Sequence, residues 1–151
     1  MAAMKPVFIF DIDGVLADNS RTKHLDCTRA EQAAEFARLA AQVKVLKTAE
    51  LVRKLAAAAP VYLFTARSAG IRTLTQNWLY DHRVPHEDLF MRPFGNDDGA
   101  PELKRRMLDE LMLRTGARPQ DICACDDEPA VREMYLRAGV SILVPGRETL
   151  S

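Results

Sequence analysis

Acidic and hydroxyl side chains follow three short apolar runs of the sequence, at the points where strands would end. Asp11 and Asp13 follow the first run, Thr65 the second, and Asp126 and Asp127 a later one. Apolar runs of four residues are typical of strands buried on both faces of a parallel sheet, and the carboxyl ends of such strands share one edge. Four acids gathered there would repel one another unless a cation lay among them, and oxygen ligands suit a hard ion such as Mg²⁺. The pattern predicts a metal-dependent site for phosphoryl transfer.

The spacing of Asp11 and Asp13 suits a pair of acids in which one is a nucleophile and the other transfers protons. A carboxylate can attack phosphorus and form an aspartyl-phosphate that water later hydrolyses. A second carboxyl nearby can protonate the leaving oxygen and then take a proton from that water. An isolated Asp-x-Asp is common in solvated turns, but here it follows a buried strand, and Gly14 lets the chain turn sharply behind it.

Strands and helices alternate along the chain, and they are the elements that would position these residues. The predicted strands are Val7–Phe10, Val61–Phe64, Leu89–Met91, Ile122–Cys125 and Ser141–Val144, the last closed by Pro145 and Gly146. Helices are predicted after a capping box of Thr28 and Glu31, from Thr48 towards Pro60, over 69–83, over 102–114, and between Pro129 and Gly139. With right-handed crossovers, this order gives an α/β fold, a three-layer α/β/α sandwich around a central parallel five-stranded sheet.

Length and composition place the chain among ordinary globular domains. A length of 151 residues fits a single domain spanning residues 1–151. Lys plus Arg equals Asp plus Glu at 21 each, so net charge gives no sign of a nucleic-acid binder, although a local basic patch would suffice for one. No stretch is long and apolar enough to span a bilayer, and Met1–Lys5 leaves no room for a signal peptide before the first strand. Together with three cysteines that fit reduced core positions better than a metal or redox motif, these features favour a cytoplasmic protein.

The segment Asp11–Asp18, with the sequence DIDGVLAD, resembles the first motif of the haloacid dehalogenase (HAD) superfamily, most of whose members are phosphatases. The resemblance covers residues 6–145 and implies a Rossmann-like HAD fold. It also implies that Asp11 is the nucleophile and that Asp13 is the general acid and base.

The later HAD motifs have matches in the expected order. The resemblance implies that the Thr65 hydroxyl binds the transferring phosphate and that Lys104 neutralises phosphate and nucleophile. It implies that Asp126 and Asp127 hold Mg²⁺ together with Asp11 and Asp13. Asp127 lies further past its strand and is expected to reach the metal directly, with Asp126 supporting it. Three other cations compete with Lys104 for its role: Lys47, Arg105 and Arg106.

Two intervals of the sequence could carry a cap domain, as HAD enzymes that act on small molecules often do. Residues 17–60 have room for two modest helices, and residues 66–103 for one helix, one strand and a loop. We therefore predict no large cap domain. The resulting open crevice suits a polymer end or a phosphoprotein, although capless members that hydrolyse small phosphates exist.

A closer resemblance is to the 3′-phosphatase domain of phage-type polynucleotide kinase-phosphatases and their stand-alone relatives. The segments that carry it are Asp18-Asn19-Ser20-x-x-x-His24-Leu25, Thr65-Ala66-Arg67, Trp78-Leu79, Met91-Arg92-Pro93-x-Gly95 and Leu103-Lys104. It implies that Arg67 and Arg92 contact phosphate or the nucleic-acid backbone, beside Ala66. The chain departs from this group in having Ala66 where Gly is usual and Glu128 where Arg is common.

The leading hypothesis is a Mg²⁺-dependent phosphomonoesterase that removes 3′-phosphates from nucleic-acid ends or nucleotides, with a separate kinase or ligase as a candidate partner. One alternative is a small-molecule phosphatase such as a 5′-nucleotidase. Another is a non-catalytic phosphate-binding domain, against which the intact set of motif residues argues.

Overall fold

Five parallel strands form the single sheet of this protein, seen in a computed structural model that describes residues 5–144. In chain order the strands are β1 Val7–Phe10, β2 Val61–Ser68, β3 Asp88–Arg92, β4 Ile122–Cys125 and β5 Ser141–Ile142. Across the sheet the order is β3-β2-β1-β4-β5. The chain therefore winds outward from β1 to one edge and then returns to the other side of β1. In open α/β sheets this reversal of winding is where a ligand crevice forms, at the carboxyl ends of the strands.

Five α-helices cover both faces of the sheet. They are α1 Ala30–Ala40, α2 Thr48–Ala56, α3 Arg72–Asp81, α4 Ala100–Thr115 and α5 Pro129–Arg137. Helices α2 and α3 share an apolar core with Phe10 and Leu63, and α4 and α5 share a second core with Ile9 and Phe64. Successive strand residues face opposite sides, so each buried strand contributes to both cores. The predicted three-layer sandwich is confirmed.

The register of the central strands aligns the residues that follow them. Phe10 lies opposite Leu63 of β2 and Cys125 of β4. The Asp11 amide continues the ladder by donating to the Cys125 carbonyl at 3.0 Å. The acids after β1 and β4 therefore begin at the same level of the sheet.

Three strands differ from their predicted bounds, and one of them, β3, is a residue longer at each end than Leu89–Met91. Strand β2 continues to Ser68, with a shift of register against β3 after Phe64, so Thr65 lies inside the strand. Strand β5 ends at Ile142 and not at Val144. The turn predicted at residues 145 and 146 lies outside the described residues.

The capping box predicted at Thr28 and Glu31 does not form. Helix α1 begins at Ala30 without a side-chain cap. Instead, the Thr28 amide and hydroxyl both donate to the Asp26 carboxylate, at 2.9 and 2.6 Å. A local turn of this type competes with helix capping for the same hydroxyl.

The segments between the strands hold no additional folded unit within residues 5–144. Helices α1 and α2 occupy the interval between β1 and β2, and a short 3-10 turn, α3 and β3 follow β2. No helix in this described range is long and apolar enough to cross a membrane.

All three cysteines have free thiols. Cys125 is buried at the end of β4, and burial raises the pKa of its thiol to about 12. Cys123 is half-buried on the same strand, and Cys27 is half-buried in the loop before α1.

Candidate active site

Lys104 lies between two acids in a buried charge cluster. Its Nζ is 2.9 Å from Asp11 Oδ1 and 2.5 Å from Asp126 Oδ2, and Lys104 is only 2 % exposed. The three residues come from the first turns of α4, the end of β1 and the end of β4. A buried charge is tolerated only when it is paired, so each member of this cluster depends on the others.

Two of the three cations that competed with Lys104 in the sequence lie elsewhere. Arg105 and Arg106 are on exposed sides of α4, where they pair with acids on the surface. The structure therefore brings Lys104, and not its two neighbours, to the strand ends.

Burial raises the pKa of the Asp11 carboxyl well above its usual range; Lys104 opposes this rise, and Asp126 and Asp13 add to it. Burial alone would lower the pKa of Lys104, but Asp11 and Asp126 outweigh burial and raise it. Lys104 is therefore protonated, yet a single lysine does not offset the combined effect of burial and the neighbouring acids on the pKa of Asp11. Another cation would stabilise the ionised form of Asp11.

Three carboxylates form a group that could hold that cation. Oxygen atoms of Asp11, Asp126 and Asp127 lie within 4.8 Å of one another. All three are hard oxygen donors without a nearby histidine ligand in the group, a set that fits Mg²⁺ with water completing its shell. Asp13, predicted to be a fourth carboxylate of the group, is not among these three.

The two adjacent acids after β4 differ in their surroundings. Asp126 is bonded to Lys104, and its Oδ1 accepts the Glu128 amide at 3.0 Å. Asp127 is half-buried and lines the crevice beside Asp11. This arrangement favours Asp127 as the more direct metal ligand and Asp126 as its support.

The Asp127 carboxylate occupies the space that a side chain at Gly14 would fill. Gly14 has φ +86°, and a Cβ there would overlap that carboxylate, with Cγ only 2.5 Å away. The Gly14 amide donates to the Ala17 carbonyl at 2.8 Å, which closes a turn directly behind Asp13. Gly14 thus permits both the turn of the chain and the close approach of Asp127.

Gly14→Ala is expected to displace Asp127 and to weaken Mg²⁺ binding at least tenfold. Gly116→Ala is a matched control, because Gly116 has φ +73° but open space around it. Both variants should lose roughly 1–2 kcal/mol of stability from the left-handed backbone. Only Gly14→Ala should lose the rise in melting temperature that Mg²⁺ produces in the wild type. An equal Mg²⁺ response in both variants would contradict this role of Gly14.

Asp13 is held by a buried arginine. Arg67 is 1 % exposed, and its Nε and NH2 donate to the two Asp13 oxygens at 2.9 and 2.8 Å. Its NH1 donates to the Thr75 hydroxyl at 3.2 Å, and its guanidinium carbon lies 5.5 Å from the Phe36 ring centroid. The resemblance implied that Arg67 contacts substrate. The structure directs its guanidinium to Asp13, which it fixes in one orientation.

Thr65 and Ala66 differ in access to the crevice. Thr65 is fully buried, and its hydroxyl accepts the Arg67 amide at 3.2 Å. Ala66 lines the crevice, and its carbonyl accepts the Arg92 Nε at 3.0 Å. This contact uses a lone pair of the Thr65 oxygen and leaves the hydroxyl proton available to donate to another acceptor.

Arg92, which was expected to contact substrate, contacts the loop after β3 in the structure. Besides Ala66, its NH1 donates to the Asn96 side chain at 2.8 Å and to the Asp98 carbonyl at 2.7 Å. Arg92 is buried and is not among the residues lining the crevice. Its charge therefore organises the loop after β3.

The crevice over these residues has a volume of about 520 Å³. Its lining includes six residues of the predicted site: Asp11, Asp13, Ala66, Arg67, Lys104 and Asp127. Side chains that the sequence analysis did not assign to the site also line it: Asn19, Thr22, Lys23, Cys27, Phe36 and Glu128. Most of them come from the loop before α1, which has no regular hydrophobic pattern to reveal which side chains turn inward.

Comparison with known proteins gives one family match. The family model described as the polynucleotide kinase PNKP phosphatase domain matches residues 5–144. No curated protein matches the chain.

Solved structures resemble the chain in fold. A chain of the Pnkp1/Rnl/Hen1 complex is 18% identical with a TM-score of 0.72, and the match covers 96% of this chain and 48% of that one. A chain of the Pnkp1/Rnl/Hen1 RNA repair complex is 20% identical with a TM-score of 0.71, covering 95% and 43%. This protein thus spans about half the length of those two chains. A magnesium complex of a HAD family enzyme from Bacteroides thetaiotaomicron is 14% identical with a TM-score of 0.58, covering 96% and 95%.

Proposed function

Because this chain belongs to the family of polynucleotide kinase PNKP phosphatase domains, HAD-type phosphatases, we propose that it is a Mg²⁺-dependent phosphomonoesterase that forms an aspartyl-phosphate. Its proposed substrates are 3′-phosphates of nucleic-acid ends or nucleotides. The observation that carries the chemistry is the buried contact of Lys104 with Asp11 and Asp126, beside Asp127 in an open crevice.

The proposed reaction has two steps. An Asp11 carboxylate oxygen attacks phosphorus, the bond from phosphorus to the leaving oxygen breaks, and Asp13 gives that oxygen a proton. Water then attacks the phosphorus of the aspartyl-phosphate, Asp13 takes a proton from the water, and phosphate leaves with Asp11 restored. Arg67 holds Asp13 in one orientation through both carboxylate oxygens, so one of these two contacts has to loosen when Asp13 carries the proton.

The residues around Asp11 would stabilise negative charge during both steps. Lys104 is protonated within 2.9 Å of Asp11, so it favours the ionised nucleophile. Mg²⁺ held by Asp11, Asp127 and Asp126 would neutralise the phosphate oxygens. The Thr65 hydroxyl, predicted to bind phosphate, would donate its proton to a phosphate oxygen while it accepts the Arg67 amide.

The shape of the site supports a polymer end as substrate. No folded cap covers the crevice within residues 5–144, so a chain that continues beyond the reacting phosphate has room to leave it. Lys23, which is exposed, lines the same crevice and adds positive charge at its mouth.

We expect higher kcat/KM for a 3′-phosphorylated single-stranded oligonucleotide than for a 3′-mononucleotide. The advantage should shrink as salt rises, because contacts to backbone phosphates release counterions. Phosphate release from both substrates over a range of salt concentrations measures this. Equal or higher efficiency on the 3′-mononucleotide, independent of salt, would favour the small-molecule phosphatase hypothesis.

Hydrolysis of an aryl phosphate with Mg²⁺, and its loss in chelator, separates an enzyme from a non-catalytic phosphate-binding domain. The neighbours in the Pnkp1/Rnl/Hen1 complexes support a separate kinase or ligase as a partner of this chain. Such a partner would act on the 3′-hydroxyl or 5′ end that remains after phosphate removal.

A further inference from the structure

The loop between β3 and α4 presents one large apolar side chain to solvent. Phe94 is 80 % exposed. The loop that carries it is bonded internally, since the Asn96 amide donates to the Pro93 carbonyl at 3.1 Å and the Asn96 side chain to Asp98 Oδ2 at 3.0 Å. Buried Arg92 holds the same loop through Asn96 and Asp98. The exposure of Phe94 is therefore a fixed property of a well-bonded loop.

One edge of the Phe94 ring rests on a glycine. A Cβ at Gly70 would lie 3.3 Å from Cε1 of the ring. Gly70 belongs to the turn after β2, where the Ser68 hydroxyl accepts its amide at 3.1 Å. The ring is thus supported along an edge.

Phe94 lies at the edge of the sheet that carries the crevice. Arg92 ties this loop to the Ala66 carbonyl, and both Ala66 and Ala100, where the loop ends, line the crevice. Strand β3 is two strands from β1, or about 10 Å across the sheet. A short stretch of nucleic acid leaving Asp11 could reach the ring.

Positive charge lies beyond the same loop. A cavity of about 280 Å³, which we call the arginine cavity, is lined by Pro93 and Asn96 of the loop and by charged residues of α3, β3 and α4. These charged residues are three arginines and two acids: Arg72, Arg106, Arg114, Asp88 and Glu110. Arg106 pairs with Asp98 and Glu102, and Arg114 pairs with Asp88 and Glu110. Arg72 instead donates to the Leu89 carbonyl, so its positive charge is the one that would favour a backbone phosphate.

We propose that Phe94 is a platform on which one base of a single-stranded nucleic acid stacks, with the backbone continuing towards the arginine cavity. This inference rests on the proposed function for its class of substrate and adds a specificity-determining residue to it. An aromatic face accepts any base, so the platform would confer preference for a chain without selecting sequence.

The test is binding of a fluorescent, single-stranded, 3′-phosphorylated decanucleotide by the Asp11→Asn protein in Mg²⁺, followed by anisotropy. Adding Phe94→Ala should weaken binding roughly 5- to 100-fold, the range for loss of one stacked base. Tyr80→Ala is the matched control, because Tyr80 is 84 % exposed at the end of α3, away from the crevice edge. Adding Tyr80→Ala should leave binding within twofold.

Abasic nucleotides placed singly from the 3′ end identify the stacked base. One position should weaken binding to the Phe94-containing protein and have little further effect when Phe94 is Ala, as expected for two changes that remove one contact. If the effects of the abasic nucleotide and of Phe94→Ala were additive at every position, the proposed role of Phe94 would be wrong. It would also be wrong if the Phe94→Ala protein bound the oligonucleotide as tightly as the protein that retains Phe94.

Kinetics of proteins that retain Asp11 distinguish this inference from the proposed function. Phe94→Ala should raise KM for the oligonucleotide, leave kcat within twofold, and leave aryl phosphate hydrolysis unchanged. An oligonucleotide phosphatase that is indifferent to Phe94→Ala would refute the platform alone. Absence of phosphatase activity in the wild type would refute the proposed function, and the binding experiment would still decide about Phe94.

Discussion

Asp11→Asn is expected to lower phosphatase turnover roughly a thousandfold or more, because it removes the proposed covalent nucleophile from a site whose groups act together. An amide oxygen cannot form the acyl phosphate with comparable ease. The variant should remain folded, since Asn has nearly the same shape and Asp126 still pairs with Lys104. Phosphate release from an aryl phosphate and the melting temperature without metal are the measurements.

The melting temperature carries separate information about Asp11. Burial and the neighbouring acids raise the pKa of Asp11, so its ionised form destabilises the metal-free protein. Asp11→Asn should therefore not lower the melting temperature in chelator. Asp109→Asn, on the exposed side of α4, is a control that should change neither quantity. Turnover by Asp11→Asn within tenfold of the wild type would refute Asp11 as the nucleophile.

Removal of divalent metal is expected to abolish turnover, and added Mg²⁺ should restore it. Asp127→Asn should raise the Mg²⁺ concentration needed for half-maximal activity by at least tenfold, because Asp127 faces the crevice. Asp126→Asn should shift that concentration less and should lower stability more, since Asp126 is the buried partner of Lys104. Titration of activity with Mg²⁺ and urea unfolding of the two variants give these values.

Full activity in chelator would contradict the metal requirement. A larger shift in Mg²⁺ dependence for Asp126→Asn than for Asp127→Asn would instead reverse the roles of the two acids. Measuring wild-type activity with Ca²⁺ in place of an equal concentration of Mg²⁺ tests whether the site prefers a small octahedral ion.

The central strands could be predicted because their apolar runs end in residues that leave the sheet. Strands β1 and β4 have the predicted bounds, Val7–Phe10 and Ile122–Cys125. Strand β2 runs four residues further than predicted, through Thr65 to Ser68, because its extension pairs with β3 after a shift of register. Hydropathy carries no signal for such a shift.

The site could be predicted as a set of residue types more readily than as a set of contacts. Lys104 reaches Asp11 because the crossover helix begins at the carboxyl edge of a parallel sheet, a general property of the fold. The contact of Arg67 with Asp13 joins residues 54 positions apart. Neither residue type nor spacing indicates whether a buried arginine binds an acid of its own chain or a phosphate of the substrate.

The rates at which the cysteine thiols react with a reagent can report local opening of the sheet. Cys27 lines the crevice, whereas Cys125 lies buried between β1 and β5, with a thiol pKa of about 12. A thiolate is the reactive species, so a disulfide reagent should modify the half-buried Cys27 and Cys123 before Cys125 and should reach Cys125 only when β4 separates from its neighbours. The modification rate of Cys125 then measures how often the centre of the sheet opens beside Asp126, without any probe being introduced.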